Sequence, residues 1–443
     1  MITPDLIIRP PGPEPDWAQY LDVTARAFGF AEETSLRAMM EPVVAGGRCL
    51  GAFDRGQLVG SALFFDMRQY WLGRAIPMAG VAGVAIAPEY RGRGVGRALM
   101  TALTELMAER GYPLSVLYPA TMVIYRSLGW EMAGHRYEAT MPGPALLAPG
   151  KPEVRLRRPG PGDAAEVLEV IGRAHELARD SGPVLYDEAE VRRFLTRPGR
   201  YADTRSFAYL ADDGFVGYRW QHGNEEIFVE KAVAASAETT RALWAVVGSH
   251  SSVAERVRAQ LGPQDPFWWL QREETANIVE RESWMLRLLD APAAIAARGF
   301  PPVDIAVPLQ ITDDLLPANS GRWQLTVRAG TGSLIKDRTG GAASATATPH
   351  ASAAATQPQA PAQPQAPAQL PAPAQPPAPA QLPGPARLPG PPLALGSRGL
   401  AALYAGTPLA TLRRAGLASG GSPQADAALD GAFAASPYML DGF

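Results

Sequence analysis

Apolar positions along the chain follow two periods in turn. From Arg97 to Arg110, Leu99, Leu103 and Met107 recur every four residues, which places them on one face of a helix that stops at Gly111. Just before it, Leu58–Phe65 alternates loosely and Gly80–Ile86 is a small-residue apolar run ending at Ala87-Pro88; both predict strands. A weaker α/β pattern follows, with strands over Glu153–Leu156, Ser206–Leu210 and Phe215–Trp220 and helices over Asp163–Arg179 and Thr239–Gly248. The apolar run from Trp284 to Leu289 reads as a strand, leading into a helix at Ala291 with proline in its first turn. Strands near Val303–Pro308, Arg322–Arg328 and Ser333–Lys336 open a third unit, which resumes at Leu395 with a helical Gly399–Tyr404.

Periodicity is lost between Gly341 and Leu393, where Ala, Pro and Gln dominate and Arg387 carries the formal charge. Such a segment buries too little apolar surface to offset its ordering entropy, which predicts a disordered or polyproline-II-like insert at about 339–392. The 443 residues otherwise suit two to four domains. With 41 basic and 44 acidic residues the net charge is −3, too little to hold nucleic acid or an anionic membrane through a global field. The single cysteine, Cys49, excludes an intramolecular disulfide and a Cys-based zinc cage, and a reducing cytoplasm is the expected compartment. No leader pattern and no apolar run of about 18 residues is present. Metal, nucleic-acid and membrane roles therefore have no support in the sequence.

The strongest local signal is Val84-Ala85-Ile86-Ala-Pro-Glu-Tyr-Arg91-Gly92-Arg93-Gly94-Val95-Gly96-Arg97, a strand that turns through glycines directly into a helix. Glycines let the backbone approach a ligand, and the helix start directs unpaired N–H groups and a partial positive charge at it. The natural ligand is a pyrophosphate, with Arg91, Arg93 and Arg97 as charged donors. The spacing is neither that of a Walker loop nor that of a dinucleotide fingerprint, and a Gly-rich turn alone also fits a purely structural corner.

This stretch closely resembles the acetyl-coenzyme A loop of GNAT-type N-acetyltransferases. A second feature, Ala120-Thr121-Met-Val-Ile-Tyr125-Arg-Ser-Leu-Gly129-Trp130, is similar to that family's short tyrosine helix. The second α/β unit, together with Leu400-Ala-Ala-Leu-Tyr404 and the ending Pro437-Tyr-Met-Leu-Asp-Gly-Phe443, extends the resemblance to the Eis (enhanced intracellular survival) acetyltransferases. It implies an α/β (α+β) fold of two tandem GNAT-like domains, 1–148 and a degenerate 149–290, followed by a sterol-carrier-protein-like domain at 291–443 that the insert interrupts. It further implies acetyl-CoA as co-substrate, held by Val84, Ala85, Ile86, Arg91, Gly92, Arg93, Gly94, Val95, Gly96, Arg97, Ala120 and Thr121, and a cytoplasmic homohexamer.

By the same resemblance Tyr125 is the general acid and the terminal α-carboxylate, here that of Phe443, the general base. A phenol with a pKa near 10 is protonated at neutral pH and a terminal carboxyl near 3.5 is ionised, so both start in the right state. The acceptor implied is a primary amine of an aminoglycoside-like molecule, a polyamine or a lysine. For polycationic acceptors, Trp17, Asp22, Phe28, Phe30, Glu32 and Glu33 stand where an acidic, aromatic wall would form, or alternatively make a solvated helix face. His135, His175, His222, His250 and His350 are scattered and receive no catalytic role. The competing class is a non-catalytic lipid or small-ligand binding protein using the sterol-carrier-like domain, with the GNAT units as scaffold.

Overall fold

The computed structural model describes residues 6–29, 33–146, 153–196, 206–271, 273–337, 388 and 390–443. Most of the expected insert, together with Phe30 and Glu32, lies outside the described residues, as does the side chain of Glu33.

The first unit is built on a long hairpin of Gln57–Trp71 with Arg74–Ile86, closed by a two-residue turn in which Leu72 and Gly73 both take positive φ (49° and 79°). The strands expected at Leu58–Phe65 and Gly80–Ile86 are parts of it, and the turn lacks the Asn-Gly signature that would have shown their full length. From the hairpin the chain passes through the Arg-Gly loop into the helix Val95–Glu109. Its Val95, Leu99, Leu103 and Met107 are buried against Leu50, Val59, Phe64, Val81 and Leu117 of the sheet. Each such leucine is worth about 2–5 kcal/mol against alanine, so the four-residue repeat read from the sequence is the main hold on this helix. The helix returns the chain to Leu114–Leu117, which runs parallel to Arg74–Ile86.

The first two units share one sheet of thirteen strands among the described residues. Asn277–Leu288, late in the chain, lies between Leu114–Leu117 and Glu131–Pro142, antiparallel to both, and Glu131–Pro142 then pairs with Arg256–Gln260. Hydrogen bonding thus crosses the boundary expected at 148/149. The second unit repeats the strand–helix–strand step as Glu226–Ala234, Ala237–Gly248 and the parallel Arg256–Gln260. Glu153–Leu156 is not a strand: Arg157 alone makes an isolated bridge to Leu210. The run is short, and in sequence Pro152 and Pro159, which have no N–H to give a ladder, flank it.

The third unit is a five-stranded sheet in the order Thr331–Lys336, Gly321–Arg328, Ile305–Thr312, Leu393–Gly396, Ala418–Gly420, covered by the helices Ser397–Tyr404, Leu409–Arg414 and Pro423–Phe433. Its core is continuous with Trp71 and Trp284 of the shared sheet. Arg298 sits at that seam, wholly buried among Trp71, Phe300, Tyr404 and Phe433, and donates to the carbonyls of Tyr404 and Phe433 at 3.2 and 3.1 Å. Desolvation pushes its guanidinium down to about 10. Among the described residues no helix is long and apolar enough to cross a membrane.

Candidate active site

Two strands that begin side by side and then part create the opening. Arg74–Ile86 pairs with Leu114–Leu117 only from Met78 to Val81, and among the described residues no strand pairs with that edge from Ala82 to Ile86. Its other edge stays laddered to Gln57–Trp71, with a register shift opposite Ser61–Leu63. Backbone N–H groups alternate in direction along a strand: that of Ala87 turns to the Val59 carbonyl at 2.9 Å on the hairpin side, so that of Ile86 faces the open edge.

The strand leads into the loop. Gly92 and Gly94 have φ of +76° and +85°, a region that side-chain-bearing residues avoid, and a Cβ on Gly92 would meet nothing within 4 Å. Gly94 caps the helix with no side-chain hydrogen bond, so the N–H groups of Val95, Gly96 and Arg97 point outward unpaired. Arg91, Arg93 and Arg97 are all exposed around it. Arg91 is turned back by a 3.3 Å bond from its Nε to the Ile86 carbonyl, and Arg93 stacks over Tyr90. An unpaired strand edge followed by an uncapped helix start with three cations fits a donor that carries a pyrophosphate at one end and a thioester at the other.

The corresponding place in the second unit differs. There Ser236 caps the helix Ala237–Gly248, its Oγ accepting from the Thr239 N–H at 3.3 Å. The side chain occupies what would be the anion site, and no arginine follows from the sequence between Ala234 and Thr240.

Tyr125 lies on the short helix Met122–Arg126, 7% exposed, with its ring edge-on to Trp130 at 6.4 Å. Its hydroxyl bonds to none of the described residues, and burial raises its pKa above the ordinary value. Ala120 and Thr121 are exposed at the start of this helix, and Val123 beside it is 80% exposed. Below it, the carboxylate of Glu131 is gripped by Arg126 and by Arg398 of the third unit. Burial opposes its ionisation, but the Met132 N–H and the two guanidiniums outweigh that and hold its pKa below the usual range.

The end of the chain reaches the same strand from the other side. Tyr438–Met439 pairs in parallel with His135–Arg136, and the Phe443 ring lands where a Cβ on Gly80 would be, 2.9 Å away, edge-on to Tyr118 at 5.4 Å. Gly80 is four residues, about 13 Å of strand, before Val84. The loop and Phe443 thus both meet Arg74–Ile86, and Tyr125 shares a buried cluster with Val81 of that strand.

The expected wall does not form from the residues described. Trp17 is buried under Arg37 and stacked on Tyr20, because the helix Asp16–Phe28 turns Trp17, Tyr20, Leu21 and Thr24 to the sheet. Asp22 faces solvent in an ion pair with Arg26 at 2.8 Å, and Phe28 is exposed. His175 is buried against Asp180, and His135 and His250 bond to Ser283 and Tyr218 away from the loop. Three residues that hold the tail, Tyr118, Tyr186 and Lys231, were not found from the sequence: single polar residues far apart in the chain carry no local pattern.

Comparison with known proteins finds two acetyltransferase domains followed by a sterol carrier protein domain. Acetyltransferase (GNAT) domain models match residues 8–133 and 185–288, and a sterol carrier protein domain model matches 291–357. The N-acetyltransferase Eis of Mycobacterium tuberculosis is 31% identical over 65% of this chain and 75% of its own length. An uncharacterized N-acetyltransferase of Streptomyces avermitilis is 28% identical over 70% and 80%. Among solved structures, a GCN5-related N-acetyltransferase from Kribbella flavida superposes with a TM-score of 0.82 at 42% identity, covering 99% of this chain and 98% of the other. Eis1 from Mycobacterium abscessus, 22% identical over 99% and 100%, has a TM-score of 0.70 and shares the fold.

Proposed function

The chain belongs to the Eis-type GNAT N-acetyltransferases, and from that premise we propose that it moves the acetyl group of acetyl-CoA onto a primary amine with Tyr125 as general acid and the α-carboxylate of Phe443 as general base. The observation that carries this reading is the seat of Phe443 against Gly80 and Tyr118, on the strand that runs into the donor loop. The donor supplies its acetyl group as a thioester, so a C–N bond forms as the C–S bond breaks. The loop amides, with Arg91, Arg93 and Arg97, hold its pyrophosphate; Ala120 and Thr121 line the way past the tyrosine helix. A backbone N–H in Val84–Ile86 polarises the carbonyl.

Tyr125 gives its proton to the departing sulfur. Its raised pKa keeps it protonated across the neutral range, and its unbonded hydroxyl is free to donate. The carboxylate takes the proton that the nitrogen loses, directly or through a water, and solvent then resets both groups. The units taken as 1–148, 149–290 and 291–443 divide the work: the first reacts, while the third delivers the tail. The acceptor class proposed is an aminoglycoside-like amine, a polyamine or a lysine, and the assembly a cytoplasmic homohexamer; light scattering tests the last.

Thiol release from acetyl-CoA with kanamycin, spermidine and a lysine peptide tests the activity. Adding residues after Phe443 tests the base, since the carboxylate becomes a neutral amide while every side chain stays. Turnover at the unextended rate on a good acceptor overturns the carboxylate assignment.

A further inference from the structure

The second GNAT-like unit keeps its sheet but has closed its own anion site with Ser236, which leaves its presence to be explained. Besides the shared sheet, it is tied to the reaction through the tail. Tyr438 donates its N–H to the Ser181 carbonyl at 3.1 Å, and the Tyr186 hydroxyl donates to the Gly442 carbonyl at 3.2 Å. The Lys231 ammonium meets the Asp441 carboxylate at 2.9 Å. From the first unit, the Tyr118 hydroxyl donates to the Asp441 carbonyl at 2.6 Å. Strand pairing stops at Met439, so past it the path to Phe443 is set by side chains.

Lys231 stands out among these. It is 8% exposed on Glu226–Ala234, just after a register shift between Val229 and Lys231, and such bulges re-aim the side chain that follows. Glu230 beside it is paired with Arg219. A nearly buried ammonium is stable only with its counter-charge in place, and Asp441 supplies that charge only when the tail is docked. Two residues on from Asp441 is Phe443.

We propose that the second unit is a dock for the end of the chain and that Lys231, through its ion pair with Asp441, is a positioning residue for the acceptor side of the cleft. The proposal rests on the reading of Phe443 as the base. Docking holds the last residues in one geometry, and loosening it lowers the fraction of enzyme poised to react without touching the donor loop.

The test is Lys231→Met in the full chain, with Lys231→Arg, Asp441→Asn and the double variant Lys231→Met/Asp441→Asn. Lys231→Met is expected to lower kcat about ten- to a hundredfold, since misplacement near 1 Å has that effect, while KM for acetyl-CoA stays within about twofold. Lys231→Arg recovers most of the rate, and the double variant is no slower than either single, as coupled partners require. A readout independent of activity is carboxypeptidase release of Phe443, which is faster in Lys231→Met and at the parent rate in Lys231→Arg. Parent kcat and parent release in Lys231→Met overturn the proposal. If Lys231→Met is slow and readily clipped while a chain extended past Phe443 keeps full turnover, the dock stands and the carboxylate reading fails. If extension inactivates and Lys231→Met does not, the dock alone fails.

Discussion

Replacing Gly182 by alanine adds one methyl group and nothing at the donor loop, yet it is expected to disable transfer. Gly182 has φ +106°, and a Cβ there would lie 2.1 Å from the Tyr438 carbonyl oxygen, 2.7 Å from its nitrogen and 3.0 Å from its carbonyl carbon, all backbone atoms. The glycine cannot give way. Its N–H donates to the Tyr70 carbonyl at 2.7 Å and its own carbonyl accepts from Gln69 Nε2 at 3.0 Å, which clamps it to the central hairpin. The tail must therefore retreat by about 1.3 Å to restore an ordinary 3.4 Å contact. That shift breaks the Tyr438–Ser181 bond, and the displaced end of the chain carries Phe443 with it. The strained φ adds about 1–3 kcal/mol of destabilisation, while a displacement of this size at a reacting group lowers the rate by about a hundredfold. Steady-state thiol release should show that loss in kcat, with acetyl-CoA affinity by calorimetry within about twofold of the parent and a moderate fall in melting temperature. Parent turnover in a folded Gly182→Ala protein would refute the argument that the tail must sit there, and an equal loss of donor affinity would show that the damage had spread through the sheet.

Gly94→Glu should abolish measurable acetyl-CoA binding by calorimetry, because an anion would face the pyrophosphate at the helix start; circular dichroism should show the fold retained, and unchanged affinity would remove the loop assignment. Tyr125→Phe should lower kcat by about 10²–10⁴-fold with donor affinity kept. Because burial raises the phenol, the alkaline loss of kcat attributable to Tyr125 should lie above pH 10, and a limb near pH 8 that vanishes in Tyr125→Phe would contradict it. Glu131 has its folded pKa lowered below 4.5, so the stability it contributes is full above that value and is lost as pH falls through the lowered pKa. Thermal melts of Glu131→Gln should be about 1–3 kcal/mol less stable at pH 7 and converge with the parent as pH falls through the lowered pKa; a constant difference would show that the charge is not the cause.

What the sequence determined by itself was contiguous. A helix face needs only the spacing of Leu99, Leu103 and Met107, and a glycine turn that opens directly into a helix needs only the order strand, glycines, helix within Val84–Arg97, because backbone conformation over a dozen residues is set by those residues. The burial of Trp17 belonged to the same class: Trp17, Tyr20, Leu21 and Thr24 have helical spacing, and weighing that period would have taken the tryptophan out of the cleft. Tertiary structure decided the rest. Asn277–Leu288 could pair with any edge of compatible pattern, and its place between Leu114–Leu117 and Glu131–Pro142 follows from packing against Trp71 and the third unit's core. The tail shows the same division most sharply. Its aromatic and apolar residues announced that it packs, but the partner surface is assembled from Tyr118, Tyr186 and Lys231, whose two hydrogen bonds and ion pair to the tail reach across as many as 323 positions. Contacts of that range have no local signature, since each residue is an ordinary polar position until the shared sheet brings them to one edge of the cleft.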